Sequence, residues 1–350
     1  TGIRPDFIRM SEIFKKLDEN FNHTLIHTGQ HYDPLRSSIF FDELNIREPD
    51  INLKIGAPGK PHYMQTADLS VKLVKMIKTM AHQPDLIIFL GDSNSVTAAM
   101  PLKKEGYTIA HIEAGMRSGD KRMLEEINRT VCDHCSDYHF VYHEDYKDNL
   151  IAENLPEENI FVVGNTIVEV FHKHYEPNQT STFWEPHIIL DIHRPENFKD
   201  KNRLRQIIFF ASQLGDTYGM PVYMLDFKRT TTALKEFNLN LHKIQLHSMM
   251  SYKFYLTFQD NAVVIISDSG TAQEEPALMG VPVIVPRDYT ERPQSVSSNC
   301  SFMLDLDISK MMSESKRMFE WLEHKENMDT RWLGKGNTSE LIINKLKQIL

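Results

Sequence analysis

The chain has 350 residues, of which 41% are hydrophobic and 25% charged, an ordinary globular composition with enough length for two domains. Its net charge of −9 at pH 7 argues against nonspecific nucleic-acid binding, which needs a basic surface. No apolar run approaches the roughly 20 residues that span a bilayer, and no secretory signal is visible. Three cysteines do not make a disulfide framework. We therefore expect a cytoplasmic protein with neither a nucleic-acid nor a membrane partner.

The first residues predict the end of a strand followed by a helix, with Pro5 in the first helical turn. Since no strand residues precede Thr1, we expect that the protein has a further N-terminal segment. Arg4 lies at the entrance of the helix, and Arg9 is close to it. A helix N-terminus beside arginines suits a phosphate group, although such arginines are more often ordinary surface residues.

Strands and helices alternate through the first half of the chain. Strands are predicted over residues 24–28, 86–90, 108–113, 138–142 and 160–163, and helices over residues 64–80 and 95–100. The strand at 86–90 is apolar throughout, as expected where a parallel sheet buries a strand on both faces. Asp92 follows this strand. It is either a helix N-cap or a group at the sheet edge where open α/β folds bind ligands.

Glu113 lies at another strand end, and a charged loop then leads into a helix that carries Glu125, Glu126 and Arg129. At about 100° per residue, the apolar side chains of this helix form one stripe: Leu124, Ile127, Val131 and Cys135. Glu126 then faces solvent, and Glu125 falls at the boundary, where it is better placed for chemistry. Glu125 and Arg129 also have the spacing of an ordinary helix salt bridge, which is the alternative interpretation.

Cys132 and Cys135 form a C-x-x-C pattern with His134 and His139 nearby, which is typical of some zinc sites. However, Cys135 lies on the apolar stripe, and no second ligand pair follows at zinc-finger spacing. We therefore expect structural cysteines and no metal site.

Residues 167–186 show no strong repeat and contain Pro177, Asn178 and Gln179, so we interpret them as a linker. The alternation then resumes, with strands predicted over 187–192, 222–225, 262–266 and 281–285, and helices over 203–218, 311–324 and 338–350. Two such runs predict an α/β protein with two Rossmann-like domains, residues 1–166 and 187–335, that face a cleft. A C-terminal helical segment, residues 336–350, closes the chain.

Polar clusters follow the strands of this second half as well. His193, next to an arginine, could face a diphosphate, although a lone histidine is usually structural. Ser269 and Gly270 lie at a strand-to-helix turn, where small residues let backbone N–H groups approach phosphate oxygens. Glu275 has the position from which a carboxylate binds ribose hydroxyls in dinucleotide-binding folds. Arg292 follows the next strand and adds positive charge.

Together these segments resemble the non-hydrolysing UDP-N-acetylglucosamine 2-epimerases over nearly the whole chain. The matching segments of the first half are Gly2-Ile3-Arg4-Pro5-Asp6, Thr28-Gly29-Gln30-His31, Gly91-Asp92-Ser93, residues 111–117 and residues 125–129. Those of the second half are Gly164-Asn165-Thr166, His193-Arg194 with Glu196-Asn197, Asp268-Ser269-Gly270 with Gln273-Glu274-Glu275, and residues 290–293. The resemblance implies a GT-B-like fold, a UDP-sugar substrate, no cofactor and a homodimer.

The resemblance also implies a reaction that inverts C2, in which anti-elimination of UDP gives a 2-acetamidoglycal and UDP then adds back. By position, Asp92, Glu113 and Glu125 match the catalytic carboxylates, one of which takes the C2 proton while another returns it. The residues implied to stabilise or hold UDP are Arg4, Arg9, His193, Ser269 and Gly270, with Glu275 on the ribose and Arg292 as a further phosphate contact.

Several points depart from the family pattern or stay open. Leu124 replaces the proline usual before the paired glutamates. Tyr32 and Asp33 follow the Gln-His pair, and Met64 stands where the substrate-activated enzymes have arginine, so we predict weak or absent substrate activation. The sugar is UDP-N-acetylglucosamine or a relative such as a 6-deoxy-L-sugar. The alternatives are a hydrolysing 2-epimerase that releases UDP, a GT-B glycosyltransferase and a non-catalytic nucleotide-sugar binding protein.

Overall fold

The structure is a computed structural model that describes residues 1–30, 41–57, 59–177, 185–305 and 308–350. For Arg4 and residues 308–315, only the backbone is described. All paired strands in these ranges run parallel, as βα units require. The predicted α/β class is therefore confirmed. Within the same ranges, none of the helices combines the length and the apolar character needed to span a membrane.

The chain forms two compact units, Thr1–Lys173 with Leu333–Leu350, and His174–Trp332. The first unit contains a two-stranded sheet, β1-β2, and a four-stranded sheet in the order β3-β4-β5-β6. Its strands are β1 (Ile26–His27), β2 (Ile51–Asn52), β3 (Ile87–Leu90), β4 (Ile109–Ile112), β5 (Tyr138–Val141) and β6 (Ile160–Val162). Its helices are α1 (Arg4–Asn20), α2 (His62–Lys78), α3 (Ala99–Lys104), α4 (Leu124–Cys135), α5 (Glu144–Ala152), α6 (Thr166–His174) and a C-terminal helix (Thr338–Ile349).

The α4 helix has the opposite phase to the predicted one. Leu124 and Ile127 are 54% and 52% exposed, whereas Glu126, Arg129 and Asp133 are buried. The helix has the expected periodicity, but the side that faces the protein interior is the one that carries the charged residues. Each of these three charges meets a group of opposite charge inside the unit, which offsets the desolvation of burial. The prediction that Glu126 faces solvent was wrong.

The segment that we interpreted as a linker begins inside a helix. Residues 167–173 belong to α6, and their apolar side chains pack into the first unit. The C-terminal helix also returns to this unit and packs against α1. Thr338 fixes its start, because its hydroxyl donates to the carbonyl oxygen of Val163 at 2.9 Å. The first unit is therefore built from both ends of the described chain.

The second unit contains one six-stranded sheet in the order β12-β11-β10-β7-β8-β9. Its strands are β7 (His187–Asp191), β8 (Val222–Leu225), β9 (Gln245–His247), β10 (Ala262–Ser267), β11 (Val283–Val285) and β12 (Ser301–Met303). Its helices are α7 (Pro195–Phe198), α8 (Lys201–Tyr218), α9 (Lys228–Glu236), α10 (Tyr252–Asp260), α11 (Glu275–Leu278), α12 (Pro293–Ser297) and α13 (Ile308–Glu323). From β7 the chain first extends the sheet to one side and then, from β10, to the other. The carboxyl ends of β7 and β10 thus form a switch point, where open α/β sheets bind ligands.

Candidate active site

Asp92 follows β3 and lies against α4 in the first unit. Its carboxylate forms an ion pair with Nη2 of Arg129, and its carbonyl oxygen accepts a hydrogen bond from Nδ2 of Asn128 at 2.9 Å. Arg129 is only 2% exposed, whereas the Asp92 side chain keeps 26% of its surface exposed. Asp92 is therefore anchored on its protein side and open to solvent on the other.

Glu113 follows β4 with a φ of 69°, a backbone conformation that is uncommon for a residue with a side chain. Its Oε2 lies 3.6 Å from Nη1 of Arg9 and accepts a hydrogen bond from the Tyr142 hydroxyl at 3.3 Å. The same oxygen lies 4.0 Å from the place that a Cβ on Gly91 would take. The Glu113 carboxylate thus lies near the residue before Asp92, and the two predicted carboxylates follow adjacent parallel strands at the same sheet edge.

Arg9 lies on α1 with 4% of its side chain exposed. Besides the Glu113 contact, its Nη1 donates to Oδ1 of Asn165 at 3.1 Å. Arg9 is therefore the ion-pair partner of Glu113, a candidate catalytic carboxylate. Arg4 is the first residue of α1, but its side chain is outside the described part of the structure.

Glu125 and Glu126 have different environments at the start of α4. Glu126 accepts hydrogen bonds from the backbone N–H groups of Ser118 and Gly119 at 3.0 Å each, so it anchors the charged loop. Glu125 is half-buried. The role of Glu125 as the third carboxylate stays a prediction. Glu126 is buried, although we expected it to face solvent.

A buried charged cluster behind these carboxylates was missed from the sequence. Nδ1 of His111 lies 2.6 Å from Oδ1 of Asp133, and Nε2 lies 2.7 Å from the Gly91 carbonyl oxygen. Oδ2 of Asp133 accepts from Nη1 of Arg117 at 2.8 Å and from the Gly115 N–H at 3.2 Å. Its only sequence signal was the run of charges along α4, because contacts between distant residues leave no local pattern.

Asp268 organises the switch point of the second unit. It is fully buried, and its carboxylate accepts hydrogen bonds from the backbone N–H groups of His193 and Arg194 at 3.0 Å each. Nδ2 of Asn197 adds a third at 2.9 Å. The loop after β7 is therefore fixed to the turn after β10.

His193 projects from this loop with 32% of its side chain exposed. Its Nδ1 lies 3.1 Å from Oδ1 of Asp191 and 3.4 Å from Oδ1 of Asp268. Burial disfavours the charged imidazole, but the two carboxylates outweigh it and raise the pKa of His193 above the ordinary value. A partly exposed imidazole at a switch point, with its charged form favoured by two carboxylates, is suited to a phosphate group.

Ser269 and Gly270 form the turn after β10. A Cβ on Gly270 would lie 2.3 Å from Nη1 of Arg292 and 2.4 Å from Oε1 of Glu291, so a larger residue would have to displace these side-chain ends. Arg292 is buried, and its guanidinium pairs with Oε1 of Glu274 at 2.6 Å and with Oε1 of Glu291 at 2.9 Å. Arg292 therefore packs against the turn and pairs with two buried glutamates. Its phosphate contact stays a prediction.

Glu275 begins the helix that follows this turn. It is buried, and its Oε1 accepts a hydrogen bond from the Tyr252 hydroxyl at 2.6 Å. This bond fixes the carboxylate at the first residue of the helix, and the predicted ribose contact stays a prediction.

Among the described residues, one group offers the ligand atoms of a possible metal site, namely Asp191, His193 and Asp268, within 4.8 Å of one another. Since the Asp268 carboxylate already accepts three N–H donors, we interpret this group as the anchor of His193. Cys132 and Cys135 are free thiols and do not belong to it.

A family model described as UDP-N-acetylglucosamine 2-epimerase matches residues 15–347 of the chain. UDP-N-acetylglucosamine 2-epimerase of Methanocaldococcus jannaschii is 34% identical, over 99% of this chain and 97% of the relative. UDP-2,3-diacetamido-2,3-dideoxy-D-glucuronate 2-epimerase of Pseudomonas aeruginosa is 30% identical, over 87% of this chain and 86% of the relative. The crystal structure of the M. jannaschii UDP-GlcNAc 2-epimerase in complex with UDP-GlcNAc and UDP matches with a TM-score of 0.90 and 34% identity. That match covers 99% of this chain and 98% of the other.

Proposed function

The chain belongs to the UDP-N-acetylglucosamine 2-epimerase family, and from this premise we propose that it inverts C2 of a UDP-linked 2-acetamido sugar without net release of UDP. The sugar is UDP-N-acetylglucosamine or a relative. The P. aeruginosa protein is named for a diacetamido glucuronate, so related sequences are named for more than one sugar. The proposed reaction needs no cofactor.

The reaction we propose is anti-elimination of UDP to a 2-acetamidoglycal, followed by re-addition of UDP at C1 on its original face and of the proton at C2 on the opposite face. Because C2–H is a weak acid, the C1–O bond must loosen early, and the charge on the departing UDP must be stabilised. One carboxylate takes the C2 proton and another returns it from the opposite face. The observation that supports this proposal is that Asp92 and Glu113 follow the adjacent parallel strands β3 and β4 at the same sheet edge, each paired with an arginine.

Each of these two carboxylates is held by an arginine, Asp92 by Arg129 and Glu113 by Arg9. These ion pairs fix both groups in position, which a proton transfer between defined atoms requires. Glu125, half-buried in the first turn of α4, is the third proposed carboxylate.

We propose that UDP binds at the switch point of the second unit. The His193 imidazolium and the backbone N–H groups of the Ser269-Gly270 turn would take the phosphates, and the Glu275 carboxylate the ribose. The further proposed UDP contacts are Arg4, at the N-terminus of α1, with Arg9 and Arg292.

We also propose a cytoplasmic homodimer. The exposed apolar side chains Leu124 and Ile127 on α4 support an interface with a second copy. Ile127→Glu should convert the dimer to a monomer in light scattering coupled to size exclusion. An unchanged mass would remove α4 from the interface.

Incubation with UDP-N-acetylglucosamine in heavy water tests the function. An epimerase exchanges C2–H for deuterium while UDP-sugar is retained, and both epimers appear in the NMR spectrum. Accumulation of free UDP and N-acetylmannosamine would instead indicate a hydrolysing epimerase. Unlabelled C2 combined with transfer to an added sugar acceptor would indicate a glycosyltransferase.

A further inference from the structure

His111 has hydrogen-bond acceptors on both of its ring nitrogens. Nδ1 faces Oδ1 of Asp133 at 2.6 Å, and Nε2 faces the carbonyl oxygen of Gly91 at 2.7 Å. A carbonyl oxygen can only accept, and so can an ionised carboxylate. A neutral imidazole carries one N–H and satisfies one of the two. Both short contacts are satisfied together when His111 is an imidazolium and Asp133 is ionised.

The surroundings favour this charge state. His111 and Asp133 are fully buried, and Arg117 balances the carboxylate from its other side. Cys132 also contacts the imidazole, and His139 faces the same cluster from β5. Burial opposes the charge, but Cys132 and Asp133 raise the pKa of His111 well above its ordinary value. Burial likewise opposes ionisation of Asp133, but His111 and Arg117 lower its pKa to about 2.

The cluster ties together the segments that carry the two carboxylates. Nε2 of His111 holds the carbonyl of Gly91, which directly precedes Asp92. His111 itself lies on β4, two residues before Glu113. Asp133 holds the Gly115 N–H on the far side of Glu113, whose own backbone is in the uncommon positive-φ conformation.

Resting on the proposed function, we propose that His111 is a positioning residue of this active site. Held as an imidazolium between Asp133 and the Gly91 carbonyl, it fixes the two strand ends that present the catalytic carboxylates. It does not touch the substrate. Its loss therefore acts on the geometry of proton transfer, where a misplacement of about 1 Å can cost about a hundredfold in rate.

The chain offers a matched control. His139 is the cross-strand neighbour of His111, is equally buried, and bonds to the carbonyl oxygen of Asp133 through Nε2 at 2.8 Å. Burial lowers the pKa of His139, so it is neutral. The described side-chain hydrogen bond of His139 goes to the Asp133 carbonyl oxygen and to neither Gly91 nor Glu113. His139→Gln therefore reproduces the structural damage of a buried histidine substitution without releasing the strand ends.

The first test is the charge state. In the ¹⁵N NMR spectrum of the full chain, both ring nitrogens of His111 should stay protonated well above the ordinary histidine pKa of about 6.5. His139 should stay neutral. A neutral His111 near pH 7 would overturn the proposal. This measurement does not depend on the substrate.

The second test is kinetic. His111→Gln should lower kcat for C2–H exchange by about a hundredfold while KM and the UDP affinity stay within about twofold. His139→Gln should keep a near-normal kcat. If His111→Gln keeps its kcat, or if His139→Gln loses as much, the positioning role is wrong.

Asp133→Asn gives an independent test that does not require the His111 substitution to fold. Without the carboxylate charge, the His111 pKa should fall into the accessible range. Then kcat should decrease as the pH rises through that value, in step with the NMR titration of His111. A kcat profile without this step would refute the proposal. If the wild-type chain does not exchange C2–H in any UDP-sugar, the proposed function is wrong. The NMR measurement still decides the charge state of His111, because it does not depend on the substrate.

Discussion

Glu113→Gln separates chemistry from stability at the proposed site. The change keeps the shape of the side chain and one acceptor oxygen for Tyr142, but removes the negative charge that faces Arg9. Both members of this pair are at least nine-tenths buried and lie 3.6 Å apart. Removing one partner of a buried pair costs about 3–5 kcal/mol. Because Arg9 keeps its bond to Asn165, we expect a loss of about 2–3 kcal/mol in the free energy of unfolding.

The variant should stay folded and yet lose most of its activity. General acid–base catalysis contributes about 10²- to 10⁴-fold, so C2–H exchange should fall at least to that extent. The UDP affinity should survive, since the proposed contacts of His193, the Ser269-Gly270 turn and Glu275 lie in the second unit and Arg9 keeps its positive charge and its bond to Asn165. The measurements are denaturant unfolding, calorimetric titration with UDP, and exchange in heavy water followed by NMR.

Glu12→Gln is the matched control for this prediction. Glu12 is a glutamate of α1 with 3% of its side chain exposed, and it pairs with Lys15 and Lys173. It should lose stability without losing exchange. If Glu113→Gln exchanges C2–H within about tenfold of the wild type, a smaller loss than general-base catalysis predicts, Glu113 is not a proton-transfer group. If Glu12→Gln loses exchange equally, the assay reports stability alone.

Glu125→Gln should abolish turnover while UDP still binds in calorimetry, and near-normal turnover would remove this residue from the mechanism. Asp133→Asn should destabilise the fold by about 2–3 kcal/mol at pH 7. The folded pKa of Asp133 is about 2 against about 3.9 unfolded, so its stabilisation is present above the unfolded value and lost as the pH falls towards 2. Unfolding curves whose difference persists unchanged down to that pH would refute this assignment. Gly270→Ala should displace Arg292, destabilise the fold by about 1–3 kcal/mol and weaken UDP binding; an unchanged affinity would show that the turn is not at the nucleotide. Initial rates should be hyperbolic in substrate, and sigmoidal rates would contradict the predicted loss of activation.

The sequence predicted the large regular elements because their signals are local. The apolar run of β8 is confirmed with the predicted bounds, Val222–Leu225, and the placement of polar clusters after strands is confirmed for Asp92 and Glu113. The strands β2, β9 and β12 were missed. They have only two or three residues each, but so do β1, β6 and β11, whose positions were predicted, so shortness alone does not explain the omission.

The phase of α4 could not be predicted for a physical reason. Hydrophobic periodicity assumes that the apolar side is the buried one, but here ion pairs between distant residues decide which side faces inward. Arg129 is buried because Asp92 lies opposite it, and Asp133 because His111 does. Such pairs become visible only when the strands have been placed. The segment with His31, Tyr32 and Asp33, on which the activation prediction rests, lies outside the described residues.

The return of the C-terminal helix to the first unit affects how the protein is made. Residues 174–332 are synthesised before residues 333–350, so every residue of the second unit is made before the first unit is complete. Until residues 338–349 have been made, α1 lacks the helix that packs against it and exposes apolar surface. A chain that terminates near residue 333 would therefore contain the whole second unit but an incomplete, aggregation-prone first unit.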